Sequence, residues 1–171
     1  TPPNPFPGWD KIFEGGIVET VQKMQLPRLF PGEDTQRMSS CWLDQFDLCA
    51  ESMIYHVSET VFFGRRQHLT EKTFKPIKNA QLFVIAGCHG SLAALRNLGY
   101  RTFDSVINSD YDLEPNNTLR WQRLRETVKS IQKHLPDIYQ QCRADIEHNQ
   151  QLFCANKSDR LSMLQQKLQN A

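Results

Sequence analysis

The chain has 171 residues, a length that suits one domain with a single hydrophobic core. Its 20 Lys and Arg residues against 19 Asp and Glu residues give a formal net charge of +1, so no overall field attracts nucleic acid or an anionic membrane. The sequence contains no run of about 18 apolar residues, which excludes a transmembrane helix. An anionic ligand would therefore have to be held by a local site.

The five cysteines favour free thiols in a reducing compartment. Their number is odd, they include no Cys-x-x-Cys pair, and their spacing is not that of a zinc site. The N-terminal segment also lacks the basic and apolar regions of a signal peptide. We therefore expect a cytoplasmic protein with unpaired cysteines and without a metal site.

Residues 1–40 are rich in proline, which disfavours long helices and strands. We interpret this segment as an arm or linker, and residues 41–171 as the folded domain. The chain starts at Thr1 and not at Met, so we expect a processed chain or a segment of a longer one.

Two stretches of the chain have the composition of β-strands. Residues 52–63 are rich in β-branched and aromatic side chains and end at Gly64, which predicts a strand followed by a loop. Residues 82–87 form a continuous apolar run that ends in glycine, as is typical of a strand covered on both faces. We therefore expect residues 82–85 to be buried.

Helices are predicted between and after these strands. Thr70 is a candidate N-cap for a helix that Pro76 keeps short or bent. Ser91 is a candidate N-cap for a second helix, which Gly99 would close, and residues 100–107 are expected to be extended. Alternation of strands and helices with glycine at the turns predicts an α/β fold with a parallel, Rossmann-like sheet.

The last 55 or so residues are predicted to be helical. Apolar residues from Leu119 to Leu135 recur at steps of three and four, Pro136 can start a second helix, and Ser158 is a candidate cap for a third. Amphipathic helices of this kind usually cover their own sheet. We expect them to be core elements.

The most informative motif is His68-Leu-Thr-Glu-Lys-Thr-Phe-Lys75, followed by Pro76, by the 82–87 strand and by Gly90-Ser91. It resembles the C-terminal, nucleotide-sugar-binding half of GDP-fucose-using fucosyltransferases. The wider segment, residues 42–125, is similar to a set of bacterial and phage proteins that share this half. The resemblance implies one Rossmann-like half of a GT-B glycosyltransferase, with a parallel sheet and C-terminal helices, in a bacterium or in the host cell of a phage.

The resemblance also implies residue roles. In these fucosyltransferases the Glu of the motif holds the ribose hydroxyls, the Lys contacts the diphosphate, and an aromatic residue lies beside the nucleotide. By position these roles fall on Glu71, Lys72 and His68, although the family usually has Tyr at the last position. A carboxylate can accept two hydroxyl hydrogen bonds, and an ammonium beside a helix N-terminus suits a diphosphate. Both residues would equally suit the first turn of any helix.

Further residues are candidates for the same site. Glu59 matches a Glu of the wider family and is expected at the end of the first strand, facing the same crevice. Basic side chains near the motif could contact phosphate or simply be solvated. We expect a nucleoside diphosphate between the start of the first helix and the turn after the second strand, close to helix amides. The remaining candidates are Arg65, Arg66, Lys75, Gly90 and Ser91.

Transfer of the sugar with inversion requires a base that deprotonates the acceptor hydroxyl. In the family this base and the acceptor pocket lie in an N-terminal domain, for which residues 1–40 are too short. The catalytic residues therefore stay unassigned, and an N-terminal acceptor-binding domain or a partner chain would be required. The nucleotide sugar would be the substrate, with no cofactor.

Three functions remain open from the sequence. The chain could be the donor-binding part of a glycosyltransferase, a stand-alone nucleotide-binding protein, or a structural or interaction protein, for example of a virus particle, that keeps the fold without transfer activity.

Overall fold

The computed structural model describes Lys23, residues 50–64 and residues 66–169, with side chains described through Asn156. Apart from Lys23, all of these residues belong to one compact unit, Gln45–Ala171. The predicted arm at residues 1–40, except Lys23, and the candidate Arg65 lie outside the described residues.

The described chain is a mixed α/β structure with a small parallel sheet. Strands β1 and β2 pair in parallel, with Ile54 opposite Leu82 and Ser58 opposite Ala86. Strand β2 coincides with the predicted one, whereas β1 is shorter than the predicted segment 52–63 and ends at Ser58; helices follow both strands as expected. The elements in chain order are β1 Ile54–Ser58, α1 Glu71–Lys78, β2 Leu82–Ala86, α2 Ser91–Asn97, a 3-10 helix Asp110–Leu113, α3 Asn117–Lys133 and α4 Leu135–Gln169.

Strand β2 is the centre of the hydrophobic core. All five of its residues are buried, and the side chains of Leu82, Phe83, Val84 and Ile85 are at most 3% exposed. Helices α1, α3 and α4 all contact this strand. This coverage on both faces explains why the sequence of the strand is a continuous apolar run. The predicted burial of residues 82–85 is confirmed.

Helix α1 begins as its sequence predicts. Thr70 has extended backbone angles, and its hydroxyl accepts a hydrogen bond from the amide of Lys72 at 3.3 Å. Pro76 lies in the second turn of the helix, where it removes one backbone donor. The helix is 8 residues long and ends at Lys78, shortly before Ala80 takes a left-handed φ of 51°.

Helix α2 begins differently from our prediction. Ser91 is its first residue and not its N-cap, because its hydroxyl donates to the carbonyl oxygen of Cys88 at 2.7 Å. The cap position belongs to Gly90, which has a left-handed φ of 81° that glycine adopts without strain. The predicted helix end is confirmed: Gly99 has a φ of 89° and donates to the carbonyl of Arg96 at 2.8 Å.

The expected extended segment at residues 100–107 does not form a third strand. The backbone amide and carbonyl of Arg101, which a sheet would use, are both bonded to the side chain of Asn149, at 2.7 and 2.9 Å. Phe103 then takes a φ of 64°, and its carbonyl accepts from the amides of Val106 and Ile107. The chain therefore turns here, and the sheet of the described residues has two strands.

The C-terminal region forms two helices. Asn116 caps α3, and its side chain accepts from the amides of Thr118 and Leu119. Helix α4 runs without a break from Leu135 to Gln169, so the prediction of a third helix starting at Ser158 is wrong. No proline or glycine interrupts this stretch after Pro136, and a serine inside a helix does not end it. No helix in the described part of the chain has both the length and the apolar content needed to cross a membrane.

Candidate functional site

Glu59 lies at the carboxyl end of β1 and holds the start of α1. Its amide donates to the carbonyl of Ala86 at 3.0 Å, which extends the strand pairing by one residue. Its carboxylate is buried, with the residue 7% exposed, and accepts from the amide of Thr70 at 2.9 Å and from its hydroxyl at 2.6 Å. The hydroxyl of Thr73 donates to the same carboxylate at 2.6 Å.

These bonds define the role of Glu59. A negative charge at the N-terminus of a helix is favourable, and the three donors satisfy much of the hydrogen-bonding capacity of the carboxylate. Glu59 stands at the predicted end of the sheet, but its carboxylate is engaged inside the protein. The residue therefore positions α1.

Glu71 and Lys72 stand on the surface at the helix start that Glu59 holds. Their side chains are 39% and 43% exposed, and the Lys72 ammonium lies 2.8 Å from a Glu71 carboxylate oxygen and 3.4 Å from the hydroxyl of Thr60. The hydrogen bond between the two side chains is the main cause that lowers the pKa of Glu71 and raises the pKa of Lys72. Both groups are therefore charged at neutral pH.

The loop before α1 contacts the turn after β2. The side-chain amide of Gln67 donates to the carbonyl of Gly90 at 3.3 Å, and the thiol of Cys88 donates to the carbonyl of Arg66 at 3.2 Å. His68 is exposed within this loop. The structure thus brings the His68 loop, the start of α1 and the Gly90 turn to the same edge of the sheet.

The amides at the start of α2 are not free for a phosphate, contrary to our expectation. The buried carboxylate of Asp112 accepts from the amides of Leu92 at 3.0 Å and Ala93 at 3.1 Å. The amide of Gly90 donates to the backbone carbonyl of Asp112 at 3.0 Å. Gly90 and Ser91 therefore shape the turn, and a side chain of the protein itself occupies the anion position at the helix start.

Arg120 of α3 is a buried cation at the same edge. The residue is 1% exposed, and its guanidinium donates to the carbonyl of Gly87 at 3.3 Å and to that of Glu114 at 3.0 Å. It also donates to the carbonyl of Phe62 and to the side-chain oxygen of Asn117, the latter at 2.7 Å.

Arg120 is not among the predicted site residues, although the pattern of α3 indicates it. The buried residues of α3 fall on one face, at positions 120, 124, 127 and 131. An arginine in such a stripe must satisfy its donors inside the protein, because burying an unpaired charge is very unfavourable.

The other basic candidates lie apart from this edge or outside the described residues. The Lys75 ammonium lies 5.8 Å from the ring centroid of Tyr55, near the amino end of β1 and so toward the opposite end of the strand from Glu59. Arg66 is exposed, and only its backbone carbonyl has a hydrogen bond in the described structure. Arg65 is not among the described residues.

The cysteines that the structure describes are free thiols. Cys88 and Cys142 are buried and Cys154 is exposed, which confirms the prediction for these three. Cys41 and Cys49 lie outside the described residues.

Two open depressions of about 440 and 480 Å³ flank the loop that contains Asn108 and Asp110. The first also involves Arg96 and Asp104, and the second is completed by polar residues of α3 such as Arg123. None of the predicted site residues lines either depression. Within residues 50–64 and 66–156, no three His, Cys, Asp or Glu side chains converge as metal ligands would.

Comparison of the chain with protein-family models, with curated proteins and with solved structures gave no match.

Proposed function

We propose that this chain is the nucleotide-sugar-binding part of a glycosyltransferase and that its fold is one Rossmann-like half of a GT-B enzyme. The diphosphate of the donor would contact Lys72, and its ribose hydroxyls would contact Glu71. The observation that carries this proposal is the hydrogen bonding of Glu59, which fixes the start of α1 at the carboxyl end of a parallel strand.

The position of the site supports the proposal. Open parallel sheets bind their ligands outside the carboxyl ends of the strands. At this edge Glu71 and Lys72 are exposed and charged, so they can exchange their mutual contact for contacts with a ligand. An exposed ion pair contributes only about 0–1 kcal/mol, so that exchange costs little.

The chemistry of the two side chains fits the two parts of a nucleoside diphosphate. An ammonium forms charge-assisted hydrogen bonds with phosphate oxygens, and a carboxylate can accept from two neighbouring ribose hydroxyls. The resemblance of the motif to GDP-fucose-using enzymes makes GDP the first nucleotide to test. The base and the acceptor pocket needed for transfer would come from an N-terminal domain or a partner chain, so the proposal for this chain itself is donor binding.

Calorimetric titration with GDP and with guanosine tests the proposal. The Lys72→Ala variant should bind GDP much more weakly but guanosine almost as well as the wild type, because only the diphosphate needs the ammonium. The Glu71→Ala variant should lose affinity for both ligands. Each charged hydrogen bond removed should cost roughly 1.5–3 kcal/mol, which is about ten- to a hundredfold in affinity.

A second exposed ion pair provides the matched control. Arg143 and Glu147 of α4 lie 2.9 Å apart and are exposed, so Arg143→Ala and Glu147→Ala should leave nucleotide binding unchanged. If the wild type binds GDP and the Glu71 and Lys72 variants bind it equally well, the residue assignment is wrong.

One observation favours a second candidate, a structural or interaction protein. Glu59 and Asp112 satisfy the starts of α1 and α2 from within the protein, so neither helix start needs an anionic ligand. Flat titrations of the wild type with the common nucleoside diphosphates and their sugar conjugates would support this candidate over the first.

A further inference from the structure

Arg120 is a buried charged residue with several bonding partners. Its guanidinium is bound by three backbone carbonyls, by the amide oxygen of Asn117 and by the ring of Phe62, whose centroid lies 4.5 Å away. All of these partners are neutral. No carboxylate among the described residues forms an ion pair with it.

The carbonyls that Arg120 binds belong to three separate segments. Phe62 lies in the loop after β1, Gly87 begins the turn after β2, and Glu114 follows the 3-10 helix. One side chain therefore links the two loops that leave the carboxyl ends of the strands. The guanidinium is therefore bonded to both loops at the edge of the sheet where the ligand is proposed to bind.

The positive charge of Arg120 is only partly balanced by its surroundings. The carboxylates of Asp112 and Glu114 act on it electrostatically, but both are engaged in other contacts. Asp112 binds the amides at the start of α2, and Glu114 lies 3.2 Å from Arg123. Burial lowers the pKa of Arg120, but a guanidinium stays protonated at neutral pH in a protein.

We propose that Arg120 is a positioning residue for this edge of the sheet and that its charge gives the edge its preference for phosphate over neutral ligands. It would do so without touching the ligand, because a buried charge acts through a medium that screens less than water. This proposal takes the position of the ligand from the proposed function. It does not depend on which nucleotide binds there.

Removing the arginine is a poor test because three carbonyls would lose their donor and the protein could unfold. Asn117→Asp is a sharper change. It is isosteric, and it places a carboxylate where the amide oxygen now accepts from the guanidinium, so it neutralises the charge and leaves Arg120 in place. The new carboxylate also lies in the first turn of α3, where a negative charge is favourable.

Asn117→Asp is expected to keep or raise the stability of the protein and to weaken pyrophosphate binding. The midpoint of thermal unfolding of Asn117→Asp should equal or exceed that of the wild type. Its affinity for inorganic pyrophosphate, measured by calorimetry at low salt, should fall about three- to tenfold, and the difference should shrink as salt is added. Thr118→Asp adds the same charge at the next position, where Thr118 has no hydrogen bond to Arg120, and should weaken pyrophosphate binding less than Asn117→Asp does.

A failure of the role of Arg120 can be distinguished from a failure of the nucleotide proposal. Equal pyrophosphate binding by Asn117→Asp and the wild type, a loss of stability in Asn117→Asp, or no pyrophosphate binding by the wild type would each overturn the role of Arg120. A different result is that the wild type binds pyrophosphate, that Asn117→Asp binds it more weakly, and that neither GDP nor guanosine binds more tightly than pyrophosphate. In that case the role of Arg120 stands and the nucleotide proposal fails.

Discussion

The hydroxyl of Thr73 donates to the carboxylate of Glu59 at 2.6 Å, and both residues are buried. One residue lies in the first turn of α1 and the other at the end of β1, so the bond fixes the helix relative to the strand. Because the same carboxylate holds both the amide and the hydroxyl of Thr70, a single side chain determines where α1 begins. The positions of Glu71 and Lys72 depend on it.

Glu59→Gln should therefore reduce the stability of the protein. The glutamine side chain keeps one acceptor oxygen but turns an amide group toward the Thr70 hydroxyl, which already accepts from the amide of Lys72. We expect a loss of about 1–3 kcal/mol in the free energy of unfolding measured with urea. Glu126→Gln changes an exposed carboxylate and should stay within about 0.5 kcal/mol. Equal effects of the two changes would contradict the structural role of Glu59.

Ile85 is a hydrophobic core residue of the buried strand β2. Ile85 is 1% exposed and pairs with Val57 of β1, so Ile85→Ala would leave a cavity that the packed helices cannot fill. The loss in the free energy of unfolding should be about 2–5 kcal/mol. Leu119→Ala on α3 is the control, because Leu119 is 46% exposed and its truncation removes little buried surface. A small effect of Ile85→Ala would show that β2 is not central to the core.

Local sequence signals were sufficient for strand β2, for the start of α1 and for the end of α2. The apolar run at Leu82–Ala86 needs cover on both faces, Thr70 has the side chain of a cap, and Gly99 has the conformational freedom that a helix end requires. Each of these features depends on neighbours close in the chain. Their positions could therefore be predicted before the fold was known.

Contacts between distant residues decided the rest. The amides of Leu92 and Ala93 donate to Asp112, which lies 20 positions after Leu92. In the expected third strand, the backbone of Arg101 is bonded by Asn149, which lies 48 positions further on. Nothing in the local composition reveals such partners. The sequence could identify residues that suit a nucleotide site. It could not show which of their amides and carboxylates already form hydrogen bonds within the protein.

The Cys142 thiol predicts a loss of stability at alkaline pH. Burial, with a further contribution from Asp145, raises the pKa of Cys142 from 9.0 to about 11. The folded state therefore holds the proton more tightly than the unfolded state, and this stability is complete below pH 9.0 and is lost as the pH rises toward about 11. The free energy of unfolding should fall by up to roughly 1.4 kcal/mol per pH unit in this interval.

Cys142→Ala tests this origin. Buried Tyr111, whose pKa burial also raises, stays in both proteins and contributes equally to their alkaline loss. Urea unfolding at several pH values across the interval should therefore show a shallower decline for Cys142→Ala than for the wild type. Parallel declines would assign the effect to Tyr111 or to other groups.

The contact between Asn149 and Arg101 predicts a loss of stability in Asn149→Asp that depends on pH. Asn149 is 1% exposed, and its side-chain NH₂ donates to the Arg101 carbonyl at 2.9 Å. In Asn149→Asp an ionised carboxylate would face that carbonyl, so the free energy of unfolding should fall by about 3 kcal/mol or more at neutral pH. The folded state would favour the protonated carboxyl, which can donate, and its pKa would rise. The deficit should therefore be smaller at about pH 5 than at about pH 8. Asn149→Ala should show a deficit that does not change with pH, and a constant deficit in Asn149→Asp as well would rule out the carbonyl as the cause.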